Sequence, residues 1–203
     1  MQSYWSVDTK SQTLMEAMLL RNSSSGIEQQ VSIIGKLIFL VLGVAILSLS
    51  AHFKVPFYPV PMTLQTLVVL LIGMSYGPHL GGATILSYLL LGAFGAPVFS
   101  GGVGFLYLVG PTGGYLVGFF VSAVVLGFLT ERGMGQNWIT SAVLAVIGTV
   151  IIYALGLSWL TSIIGFAKAV QFGLMPFVFG DCLKIVIVTL SIPLTWKLLE
   201  RLR

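Results

Sequence analysis

The chain has 203 residues, of which 57% are hydrophobic and 8% charged, with a net charge of +4. Its mean hydropathy is +1.02. A soluble domain carries about 25% charged residues, so composition excludes an ordinary water-soluble fold and points to an all-α integral membrane protein folded as one bundle.

The single cysteine, Cys182, excludes an intramolecular disulfide and a cysteine-cluster metal site, and His52 and His79 belong to no spaced metal motif. In a membrane protein the positive excess reports orientation and not nucleic-acid binding.

Residues 1–30 are polar and carry both signs of charge: Asp8, Lys10, Glu16, Arg21 and Glu28. No short apolar core follows a basic start, and the acids argue against a transit peptide, so a cytoplasmic tail is expected. Gln12 to Leu20 has the pattern of a short amphipathic helix, and Arg21 to Gly26 reads as a linker. A six-helix transmembrane domain is expected over 31–203.

The first span is expected from Val31 to Ala51. The following HFKVPFYPVP holds Pro56, Pro59 and Pro61, which forbid a regular helix and favour extended chain. Phe57, Tyr58 and Val60 make it apolar, and apolar non-helical backbone beside a bilayer must rest on protein. The expectation is a strap over one mouth of the bundle.

The second span is expected to begin at Pro61, a good first helical position, and to end at Gly77-Pro78. Its length of about 16 residues is short for a ~30 Å crossing. Gln65, one turn inside, suits either a bond to a neighbouring helix or a ligand contact. GPHLGG reads as a tight turn. A third span runs from Ala83, or as early as His79, to Phe94, with Tyr88 in its middle as a buried hydroxyl or a site residue. The Gly-rich, uncharged Pro97 to Gly110 is expected to be a second covering segment, with Ser100 and Tyr107 its polar side chains.

The fourth span opens at GPTGGY and runs to Thr130. Gly114, Gly118 and Ser122 recur every four residues, a face for close helix contact. Tyr115 fits the membrane interface or a pocket. The fifth span covers Trp138 to Leu157. Ser158 to Phe172 is less regular, with a short interfacial helix. The sixth runs from Pro176 to Leu199, with Pro193 near its last turns.

Six spans put both termini on one side. Arg21, Lys36, Arg132, Lys197, Arg201 and Arg203 fall on that side, against Lys54 and Lys168 on the other, so both termini are expected in the cytoplasm. Asp181 and Lys184 then lie in the outer half of the sixth span. Three residues apart, they share a helix face. A charge inside a span costs at least ~2.5–3.5 kcal/mol near the centre and usually marks function. A structural ion pair between helices is the alternative.

Four segments carry a resemblance: PVPMTLQTLVVLLIGMSYGP, LSYLLLGAFGAPVFSGG, VGPTGGYLVGF and LMPFVFGDCLK. Together they resemble the BioY-type family, the biotin-binding S components of energy-coupling factor transporters. The resemblance implies biotin as transported ligand, no cofactor, and a plasma-membrane assembly with a transmembrane coupling protein and two ATP-binding-cassette ATPases. It implies a ligand site drawn from Asp181, Lys184, Gln65, Tyr88, Ser100 and Tyr115, with the acid and the ammonium complementing the ureido N–H and carbonyl groups. Lys54, Lys168 or backbone amides are the candidates for the biotin carboxylate. Where the family carries paired alanines on the first helix for docking, this chain offers Gly43 and Ala45, with Gly73 on the second. An S component for another vitamin shares the fold. An intramembrane enzyme would need a Ser–His or His–His–Asp arrangement that the sequence lacks, and no GxxxxGK[ST] motif is present.

Overall fold

The computed structural model describes residues 13–15, 18 and 28–201, with side chains from 33 onward in the long segment. The elements in order are α1 (Glu28–His52), β1 (Lys54–Val55), β2 (Met62–Thr63), α2 (Gln65–Ala93), α3 (Phe105–Leu108), α4 (Gly113–Glu131), α5 (Trp138–Ile164), α6 (Phe166–Gly173) and α7 (Val178–Arg201). Five of these helices, α1, α2, α4, α5 and α7, are long and apolar enough to cross a membrane.

Helix α2 is two limbs folded against each other. Gly77 breaks it at φ 78°, ψ 174°, a conformation open to glycine, and Pro78 opens the second limb where a missing N–H costs nothing. A straight helix would hold Gln65 and Tyr88 about 34 Å apart, yet the Gln65 amide donates to the Tyr88 hydroxyl at 2.7 Å. The expected GPHLGG turn is thus a single residue, and His79 to Gly82 are helical.

Helix α4 is the centre of the bundle, packing on α2 and α5. Small residues allow it. A Cβ on Gly118 would lie 2.9 Å from Ile152 Cα, one on Gly114 would lie 2.6 Å from the Leu155 carbonyl, and one on Gly73 would lie 2.9 Å from Ala123 Cα. The predicted Gly114–Gly118–Ser122 face therefore meets α5.

Two boundaries differ from expectation. The second helix starts at Gln65 and not at Pro61, because Met62–Thr63 pairs antiparallel with Lys54–Val55 and the Thr63 hydroxyl accepts from the Gln65 N–H at 3.2 Å. The extended Pro-rich segment is the loop of this hairpin. The fifth helix continues to Ile164; Ser158 and Ser162 return their hydroxyls to the carbonyls of Ala154 and Trp159, which removes the penalty of polar groups in an apolar helix. The short helix α6 follows from Phe166, turned off α5 at Gly165, φ 83°.

Helix α1 buries Val44, Leu47 and Ala51 and exposes Ile34, Leu37, Ile38, Val41, Leu42, Ile46 and Leu49. Gly43 faces inward, where a Cβ would come within 2.7 Å of the Thr84 methyl. Gly43 and Gly73 are therefore internal packing positions and not the outward docking residues expected; Ala45 is exposed.

In the expected amphipathic helix over Gln12 to Leu20, the described Leu14, Met15 and Met18 are helical. Leu14 is buried with Leu70, Met74, Leu126 and Leu144, and a Cβ on Gly77 would lie 2.9 Å from Thr13 Cγ2. This segment closes one end of the bundle. The expected linker from Arg21 to Gly26 lies outside the described residues.

Candidate functional site

The other end of the bundle holds a cavity with about 510 Å³ of non-atom space, open solvent at its mouth included. The β-hairpin supplies Val60 to Thr63, the first limb of α2 supplies Gln65 and Thr66, and the Gly-rich segment supplies Ser100 and Tyr107. Helix α4 adds Tyr115, Leu116 and Phe119, α5 adds Ile152 and Tyr153, and Phe177, Asp181 and Lys184 close the wall.

The charged head lies on α7. Asp181 sits in its first turn, where the helix dipole favours a carboxylate. Asp181 and Lys184 are 5% and 6% exposed, so both are removed from water and must be satisfied by protein or ligand. Lys184 Nζ donates to Asp181 Oδ1 at 2.7 Å, to the Thr63 carbonyl at 2.7 Å and to Thr66 Oγ1 at 2.8 Å. All three ammonium protons are thereby engaged. Asp181 also accepts from the Thr66 hydroxyl at 3.3 Å through Oδ1, and from the Tyr153 hydroxyl through Oδ2. The pair is both a structural ion pair and a cavity wall.

Five of the six expected site residues line the cavity: Asp181, Lys184, Gln65, Ser100 and Tyr115. Tyr88 is fully buried behind it, accepting from Gln65 and donating to the Val98 carbonyl at 3.0 Å. It orients Gln65 and does not reach the wall. Ser100 is fixed by its 2.9 Å bond to the Tyr107 hydroxyl, and the Lys54 ammonium donates to its carbonyl. Phe99 stacks on Tyr107 with centroids 4.9 Å apart and fills the space that a Cβ on Gly92 would take. The Tyr115 hydroxyl donates to the Gly173 carbonyl at 2.8 Å, so this tyrosine is a pocket residue and not an interface anchor. Lys168 is exposed on α6.

Sequence reasoning missed Thr63, Thr66, Thr112 and Tyr153, which also line the cavity. A hydroxyl in the middle of an apolar span singles out Tyr88, and the same signal applies to Tyr153 within GTVIIYALG. The threonines carry no such signal, because threonine is common in membrane helices and bonds its own backbone.

A bundle of apolar helices around a cavity with a buried charged head defines a membrane protein with an internal small-molecule pocket. The chain belongs to the BioY family, whose model matches residues 20–201. It is 40% identical over 158 residues to the biotin transporter BioY of Thermotoga maritima, spanning 77% of this chain and 92% of that protein. It is 40% identical over 145 residues to the probable biotin transporter BioY of Pyrococcus horikoshii, spanning 70% of this chain and 85% of that one. A crystal structure of the S-component for biotin from an ECF-type ABC transporter shares the fold, with a TM-score of 0.73 at 24% identity over 86% of this chain and 95% of the other.

Proposed function

We propose that this chain is the membrane-embedded biotin-capturing component of a vitamin uptake transporter. The observation that carries the reading is the buried Asp181 carboxylate, held beside Lys184 in the wall of a cavity of mixed polar and apolar lining, in a member of a family whose relatives are named biotin transporters. Biotin has a ureido ring with two N–H donors, an apolar bicycle and an aliphatic tail ending in a carboxylate. Asp181 takes a ureido N–H, and Gln65 and Ser100 complete the polar head. Leu116, Phe119, Ile152 and Phe177 enclose the bicycle and chain. Lys184, whose protons are already engaged, serves first as the counter-charge to Asp181. The tail carboxylate lies toward the mouth, where Lys54 bonds a pocket-lining residue.

In this reading the two limbs of α2 are separate crossings, giving six, and the hairpin and the Gly-rich segment cover the outer mouth. Lys54 lies at the cavity end, while Arg132, Lys197 and Arg201 lie at the opposite ends of α4 and α7. That asymmetry supports an outward cavity and cytoplasmic termini in the plasma membrane. Energy arrives by contact with a coupling protein and two ATP-binding-cassette ATPases. The exposed face of α1 around Ala45 is the docking face. The test is reconstitution: the chain alone in liposomes binds biotin but does not concentrate it, and adding the partners with ATP starts uptake. Concentrative uptake by the chain alone overturns the division of labour.

A further inference from the structure

We propose that Tyr153 is a positioning residue that fixes the Asp181 carboxylate, so that the cavity presents one acceptor site of set direction and thereby selects ligands by a free N–H. The inference deepens the biotin reading and rests on it.

An ionised carboxylate offers about four lone-pair sites. Three are taken by the protein. Oδ1 accepts from Lys184 at 2.7 Å and from Thr66 at 3.3 Å, and Oδ2 accepts from the Tyr153 hydroxyl. The remaining site on Oδ2 is the one left for a ligand. Lys184 adds no open donor, since its other two protons go to Thr63 and Thr66.

The clamp acts across elements. Lys184 holds Oδ1 from within α7, and Thr66 reaches it from α2. Among the described residues Tyr153 alone holds Oδ2, and it comes from α5. Without its hydroxyl the Oδ2 side of the carboxylate has no protein partner among the described residues and two sites become open. Tyr153 is itself aimed: its ring meets Tyr115 edge-on at 6.3 Å, and Tyr115 is anchored to the Gly173 carbonyl at 2.8 Å. An acceptor with one open site matches an N–H at one place. A ligand carrying a methyl group on that nitrogen presents no donor and meets a filled wall.

The experiment compares biotin with a biotin methylated on a ureido nitrogen, by isothermal titration of the purified full chain and of Tyr153→Phe. The wild type should prefer biotin at least about tenfold, the worth of one bond to a charged acceptor. In Tyr153→Phe the preference should shrink severalfold, because the loosened carboxylate accepts from other directions, while the melting temperature stays within a few degrees. An unchanged preference in the variant overturns the proposal, even where both affinities fall, since that is the result of a merely structural role. If Tyr153→Phe does not fold, 3-fluorotyrosine at position 153 keeps the shape and serves as a fluorine NMR probe. Its resonance should shift on saturation with biotin, as a ligand N–H on Oδ2 competes for the same oxygen; an unmoved resonance overturns the role. Failure of the wild type to bind biotin at all defeats the reading of the pocket itself, a result distinct from loss of the Tyr153 effect.

Discussion

Replacing Asp181 by asparagine perturbs two things at once, and the structure shows how to separate them. The amide keeps the shape but loses the charge that any ligand N–H would meet. Loss of a charge-assisted bond weakens binding by about 1.5–3 kcal/mol, or ten- to hundredfold in Kd. The same change strips Lys184, 6% exposed, of the counter-charge 2.7 Å away. Removing one partner of a buried pair costs about 3–5 kcal/mol of stability. The single variant should therefore bind worse and melt earlier. The double variant Asp181→Asn/Lys184→Met removes both charges, so no uncompensated buried charge remains. It should recover most of the melting temperature without recovering affinity. Thermal unfolding in detergent and titration with biotin read the two effects. A double variant that melts like the wild type and binds biotin equally well would refute the claim that the carboxylate contacts ligand.

Four further substitutions test other parts of the account. Gly43→Leu should lower melting temperature and biotin binding together, because its side chain drives into Thr84 and Tyr76; Ala45→Leu on the exposed face should spare both and reduce uptake in the presence of the coupling partners. Intact binding in Gly43→Leu would show that α1 can shift away from α2. Lys54→Met should weaken biotin but leave its methyl ester unaffected, since the ester has no carboxylate to attract; equal loss for both would move the tail elsewhere. Leu14→Ala, in a side chain 3% exposed, should cost about 2–5 kcal/mol as other buried leucines do, and an unchanged unfolding midpoint would show that the segment does not dock.

The helices were legible because apolar length and glycine spacing are local signals. The Gly77-Pro78 break was readable from two residues, since one needs a positive φ and the other favours a helix start. The start of α2 was misplaced for the converse reason. Pro61 is a competent first residue by itself, and only the pairing of Met62–Thr63 with Lys54–Val55 makes it part of a hairpin. Small residues announce close packing but not its partner, and Gly43 and Gly73 face neighbouring helices inside the bundle. At the site, the spacing of Asp181 and Lys184 along one helix was visible. The saturation of Lys184 by Thr63 and Thr66, and the reach of Tyr153 from α5, arise only where three helices cross.

The most direct test of the central claim is isothermal titration of the purified chain, without partners, against biotin and a panel of other vitamins. The account predicts saturable binding of biotin and none of comparable strength among the others. Tight binding of a different vitamin with no response to biotin would contradict it.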